Sequence, residues 1–167
     1  MCIRDSIYVV EAFKKIHEKH PDTHLLLANA GGSYEKEIKL ELSKLPLGSF
    51  TEIRFEENLF ALYSLIDVFV HVPINSKIEA FGQTYVEALA AGVPSIFTLS
   101  GIANDFIIDK ENALVVDYED SEQIVQAIEL LLENTELRES LIRKGYSTVE
   151  RFALMKMIDS LEQLYLS

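Results

Sequence analysis

The sequence predicts a doubly wound α/β domain, a parallel sheet covered by helices on both faces. Three observations carry that expectation. Short apolar runs of strand length alternate with segments of helical periodicity almost to the end of the chain. The connections between them are short, as right-handed βαβ units require. The 167 residues, 49% hydrophobic and 25% charged, suffice for one well-packed core and do not demand a second.

The elements follow in order. Ile7 to His20 carries Val9, Val10, Phe13 and Ile16 at helical spacing and stops at Pro21. His24 to Ala28 holds the continuous leucine run of a strand buried on both faces. Gly31-Gly32 gives a turn, and Ser33 caps a second helix with Glu37 in reach. Glu52 to Phe55 reads as the next strand, followed by a short helix ending near Leu65. Asp67 to Val72 is the clearest β run. A loop from Pro73 to Ala80 leads to a helix from about Gly82 to Ala91, and Ser95–Thr98 and Ala113–Val116 supply two more strands. Ile124, Ala127, Ile128, Leu131 and Leu132 complete an amphipathic helical stripe. Two further helices finish the chain, with breaks expected around Gly145 and again near Ala153.

The start is unusual. The chain opens directly into a helix, and Met1 to Ser6 form no strand. In a doubly wound unit the first strand precedes the first helix and lies mid-sheet. Without it the sheet has a gap lined by backbone groups that are costly to bury unpaired. The expectation is one domain over 1–167 that lacks its first central strand, with residues 1–6 non-native.

Charge narrows the partners. Twenty-seven acids against fifteen bases leave a formal charge of −12. Binding a phosphate backbone is carried by Lys and Arg, so nucleic acid is excluded as a partner, and a polybasic grip on anionic lipid with it. The single cysteine, Cys2, removes disulfide frameworks and thiolate metal clusters. No apolar run approaches the roughly 20 residues that span a bilayer. A cytoplasmic setting is expected, with peripheral association at the inner face of a membrane left open.

In sheets of this kind ligands bind beyond the carboxyl ends of the strands, which points to the loops after Ala28, Val72 and Thr98. The informative segment runs from Val72 to Pro94. It places Glu79 just ahead of a helix that begins near Gly82, and Glu87 on the second turn, in E-x(7)-E spacing. The amides of Phe81, Gly82, Gln83 and Thr84 are then free donors at the positive end of a helix, an anion site that Gly82 leaves open to close approach. Glu87 can reach toward a ribose, whose hydroxyls suit a carboxylate. Ala88, Ala90, Ala91 and Gly92 are small enough for the helix to sit close on the sheet. Taken singly, each glutamate also has a structural reading, as dipole placement before a helix or as a solvated face within it. His71, inside an apolar strand, reads as a satisfied core histidine.

The whole pattern resembles glycosyltransferase family 4, of the two-domain GT-B type. The resemblance rests on Leu25 to Gly32, Leu62-Tyr63, Asp67 to Val70, Glu79 to Pro94, Asn112 to Val116 and Glu150-Arg151-Phe152. It implies that this chain is the C-terminal, donor-binding domain, with retention of anomeric configuration, no cofactor and no metal. Glu79 is then the catalytic-site carboxylate on the donor sugar, and Ala80, Phe81, Gly82, Gln83 and Thr84 line the sugar and phosphate. Glu87 holds the ribose. The Gly31-Gly32 loop and Arg54 border the nucleotide. The partners implied are a nucleoside diphosphate sugar as donor substrate and a carbohydrate or lipid-linked acceptor, held by an N-terminal domain that is absent here. Three departures stand out. The family's basic pair for the diphosphate has no counterpart, and Lys77 is the one base in the active-site loop. The stretch from Phe55 to Asp67 is short, and Asp105 stands where a Glu is usual. A sugar-nucleotide epimerase of the same fold and a degenerate binding module are the alternatives. A phosphoacceptor domain is ruled out because Ala28, Phe55 and Val72, at the strand ends, are not aspartates.

Overall fold

A computed structural model describes residues 6–28 and 35–166. Seven helices and five strands are seen among the described residues. α1 (Ser6–Lys19), β1 (Leu25–Ala28), α2 (Glu35–Leu42) and β2 (Phe50–Ile53) form the first part. α3 (Leu59–Tyr63), β3 (Phe69–His71), α4 (Gln83–Ala90), β4 (Ser95–Phe97) and β5 (Leu114–Val115) form the second. α5 (Ser121–Glu133), α6 (Thr135–Val149) and α7 (Leu154–Leu166) complete it.

Every ladder is parallel. β1 pairs with β2, Leu25 opposite Phe50 and Ala28 opposite Ile53. β4 lies between β3 and β5, with Phe69 opposite Ser95 and Ile96 opposite Leu114. No ladder joins β1 to β3 among the described residues, so the sheet is interrupted at the place where the sequence leads one to expect a central strand. α1 spans the interruption. Its Ala12 and Ile16 pack with α5 and β4, while Val10 and Phe13 pack with β1 and α2. Lys15–Glu122 and Lys19–Glu129 ion pairs add to the α1–α5 contact at its exposed rim, where such pairs contribute little.

The alternation of side chains across a strand explains why β4 is buried on both faces. Ile96 points to the α1–α5 side and Phe97 to the α4 side, and both are fully buried. Each such side chain contributes about 1.5–3 kcal/mol on leaving water. The same alternation sends Val70 to the first side and Phe69 to the second. Short polar caps fix the helix starts: Asn58, Asp120 and Asn134 each accept a backbone N–H three residues on.

Several expectations shift. The second strand occupies Phe50–Ile53 rather than 52–55, because Leu25–Ala28 sets its register and leaves Phe55 exposed beyond its end. The β run at 67–72 narrows to Phe69–His71. α6 runs unbroken through Gly145. Glycine there weakens the helix but permits close packing, since a Cβ at Gly145 would stand 3.2 Å from Leu89 Cδ2 on α4. The break at Ala153 is present, with extended backbone at ψ 135° between a 3-10 turn and α7. The Gly31-Gly32 turn and the Ser33 cap lie outside the described residues. No helix among the described residues is long and apolar enough to cross a membrane.

Candidate functional site

Two loops leave the sheet at the carboxyl ends of β3 and β4, and they are tied to each other. Thr98 donates its N–H to the His71 carbonyl at 3.3 Å and its hydroxyl to the Pro73 carbonyl at 2.5 Å. Gly101 donates to the Ser76 carbonyl at 3.1 Å, and Glu79 donates its N–H to the Ser100 hydroxyl at 3.0 Å. The fit at Gly101 excludes a side chain. Its φ is +58°, and a Cβ would fall 2.5 Å from the Ala80 carbonyl oxygen.

The first loop ends at Gly82, which enters α4 in the left-handed conformation with φ 70° and ψ 54°. No side chain caps this helix. The Tyr85 N–H turns back to the Gly82 carbonyl, while the Gln83 and Thr84 amides keep their donor capacity at the positive end of the dipole. A Cβ at Gly82 would lie 2.6 Å from the ring of Tyr85. That buried ring forms the floor, with its hydroxyl donating to the Thr98 carbonyl at 2.7 Å. Ala80, Phe81 and Gln83 are exposed and Thr84 is half-buried, so the proposed donor-lining residues face outward together around Gly82. Phe81 packs edge-on against Phe152, with ring centroids 5.9 Å apart. Phe152 in turn carries the Arg151 guanidinium, 4.9 Å from its centroid.

The two glutamates are held differently. The Glu79 side chain is 26% exposed, and its Oε1 lies 3.6 Å from His71 Nε2. Burial pushes the His71 pKa down to about 4, so at neutral pH this is a neutral imidazole beside a carboxylate and not an ion pair. Glu87 faces α3, where the Tyr63 hydroxyl hydrogen-bonds its carboxylate. Burial first, and the Glu87 charge second, push the Tyr63 pKa upward.

The outlying candidates are not part of this group. Gly31 and Gly32 lie outside the described residues. Arg54 is exposed just past β2, and its charge is felt by Glu35 at the start of α2. It therefore belongs to the β1–β2 part of the chain. Lys77 is exposed.

Sequence reasoning missed four supporting residues. His71 is a core residue, but it is not satisfied: neither ring nitrogen has a hydrogen-bond partner. A histidine ending an apolar strand at a ligand-facing sheet edge was the available signal. The contact of Tyr63 with Glu87, and the roles of Ser100 and Gly101, also emerge only here. The Ser-Gly pair directly after a strand was the legible hint of a tight loop.

Comparison with known proteins bears on family and fold. The family profile described as "Glycosyl transferases group 1" matches residues 6–148. The chain is 30% identical over 151 residues to a lipopolysaccharide core biosynthesis glycosyltransferase of Rhizobium meliloti (strain 1021), covering 88% of this chain and 43% of that protein. The C-terminal domain of a glycosyl transferase group 1 family protein from Francisella tularensis superposes with a TM-score of 0.71 at 25% identity, covering 86% of this chain and 76% of that one. An Anabaena protein solved in complex with UDP-glucose superposes at 0.83 with 18% identity, over 95% of this chain and 44% of its own, a likeness of fold. The chain spans about two fifths of the length of the first of its curated relatives. Its fold is that of a GT-B C-terminal domain, and with most of its length inside the family profile, the chain belongs to the glycosyl transferases group 1 family.

Proposed function

We propose that this domain binds the donor of a retaining, metal-independent glycosyltransferase of family 4, which moves a sugar from a nucleoside diphosphate sugar to a glycan or lipid-linked acceptor. One observation carries the reading. The uncapped N-terminus of α4 opens at Gly82 between two carboxylates, Glu79, whose backbone N–H is held by Ser100, and Glu87, which faces Tyr63 on α3. The diphosphate rests on the amides at Gly82, Gln83 and Thr84. Glu79 takes donor-sugar hydroxyls, with Ala80 and Phe81 lining the same end, and Glu87 takes the ribose. The Gly31-Gly32 loop and Arg54 border the nucleotide.

The chemistry asked of this domain is electrostatic. As the sugar departs, negative charge grows on the diphosphate, and donors already aimed at that charge stabilise it without reorganising. Helix-terminus amides serve this purpose with no cofactor or metal. The acceptor site is assigned to a second domain, in keeping with the greater length of the relatives. The chain by itself then binds donor without transferring sugar. The name of the Rhizobium relative, a lipopolysaccharide core biosynthesis glycosyltransferase, supports a lipid-linked glycan as acceptor class.

Calorimetric titration with UDP, GDP and their glucose and mannose conjugates, in chelator, tests the reading. Binding of about −8 kcal/mol, micromolar, is expected for one nucleotide series and is lost in Glu87→Ala. A folded chain that binds none of these ligands overturns it.

A further inference from the structure

His71 is a poor choice for the place it occupies. It is 1% exposed, stacked near Phe69 with centroids 6.4 Å apart and edge-on to Tyr85 at 4.9 Å. Among these rings a leucine or phenylalanine would bury more apolar surface and strand no polar atom. Neither Nδ1 nor Nε2 is hydrogen-bonded, and an unpaired buried polar group destabilises a fold. Buried groups of this kind recur where function outweighs packing.

The geometry indicates what the ring is for. Nε2 stands 3.6 Å from Glu79 Oε1, a few tenths of an ångström beyond hydrogen-bond distance. The neutral ring carries one N–H. Beside a carboxylate the favourable tautomer places it on Nε2, because a bare Nε2 lone pair would face the negative oxygen. Glu79 is also tethered through its backbone N–H to Ser100, which holds its backbone in place beside His71.

We propose that His71 is a positioning residue for the sugar-binding carboxylate: its Nε2–H engages Glu79 Oε1 when a donor sugar is bound, fixing one oxygen on the protein and presenting the other to the sugar hydroxyls. The inference rests on the reading of Glu79 as the sugar contact. It makes His71 a determinant of how tightly the sugar is held, and leaves the nucleotide to Gly82 and Glu87.

The test compares each nucleoside diphosphate with its sugar conjugate on the whole chain, using UDP, UDP-glucose, GDP and GDP-mannose. His71→Leu is expected to weaken the conjugate about tenfold, the loss of one hydrogen bond to a charged group, and to leave the bare diphosphate unchanged. The same variant is expected to melt higher than the wild type, since it removes the unpaired nitrogens. His71→Gln, whose amide can reach the Nε2 position, should restore the conjugate to within about threefold of wild type, the residual being the geometric difference in one hydrogen bond. Nitrogen NMR of the ring should show the Nε2–H tautomer. An equal loss for diphosphate and conjugate, no loss for either, or an Nδ1–H tautomer would overturn the proposal. Failure of the wild type to bind any nucleotide would instead overturn the donor reading and this inference with it, so the two failures are told apart.

Discussion

The Ser100 hydroxyl accepts the backbone N–H of Glu79 at 3.0 Å, joining residues 21 apart in the chain. Ser100 is fully buried. Together with the Gly101–Ser76 and Thr98–Pro73 bonds, this bond ties the Glu79 loop to the loop after β4. Ser100→Ala leaves the part-buried Glu79 donor without its partner, at a cost of about 1 kcal/mol. The expected outcome is a lower Tm together with weakened sugar-nucleotide binding. Unchanged binding would show that the loop does not depend on this tether.

Gly101 acts beside it as a spacer. Replacement by alanine forces a Cβ to within 2.5 Å of the Ala80 carbonyl oxygen and 2.6 Å of the Glu79 carbonyl oxygen, at a φ of +58°. The left-handed conformation alone costs a non-glycine residue about 1–2 kcal/mol, and the collision adds to it. Gly101→Ala should destabilise the chain and move the amide resonances of Glu79 and Ala80. Gly48→Ala is the control, because Gly48 has φ +84° but open space around it, so it carries the conformational cost alone.

The buried imidazole makes stability depend on pH in a known direction. The His71 pKa falls from 6.5 to about 4 on folding, so between those values the unfolded chain binds the extra proton. Stability is therefore fully present above about pH 6.5, declines as pH falls, and the whole contribution is gone below about pH 4. In denaturant titrations across this window, His71→Gln should lose less stability than the wild type. Parallel curves for the two proteins would contradict the assignment.

Tyr63 gives the opposite limb. Burial and the Glu87 carboxylate raise its pKa, so it stays protonated after an unfolded tyrosine has ionised. Stability is lost as pH rises past about 10. Spectroscopic titration should find a late-ionising tyrosine component that Tyr63→Phe diminishes by one residue. The same variant frees the Glu87 carboxylate, and a several-fold loss in affinity for the bare diphosphate is expected from one hydrogen bond of about 1 kcal/mol.

Gly82 is needed for both its backbone and its space. Gly82→Ala drives a methyl group into the Tyr85 ring at 2.6 Å and opposes a φ of 70°. Since Tyr85 anchors to the Thr98 carbonyl, the ring cannot withdraw without breaking the floor of the site. Nucleotide binding should fall at least tenfold, with circular dichroism largely retained; about 1.4 kcal/mol of disturbed binding suffices. Wild-type affinity in this variant would remove the α4 terminus from the phosphate site.

By itself the sequence determined the order and kind of the elements, because burial on one stripe of a helix or both faces of a strand leaves a local periodic trace. The α5 stripe from Ile124 to Leu131 and the buried run at Ser95–Phe97 are of this kind. It also determined the Glu79–Gly82–Glu87 spacing, since a strand–loop–helix junction is contiguous in the chain. Only the tertiary structure decided what holds those residues. The strand at Phe50–Ile53 took its register from Leu25–Ala28, and Gly145, inside α6, lets Leu89 of α4 pack close. Ser100 under Glu79, Tyr63 against Glu87 and the unpaired His71 are relations between distant segments. They arise when packing brings those segments to one sheet edge, and no local period encodes that meeting.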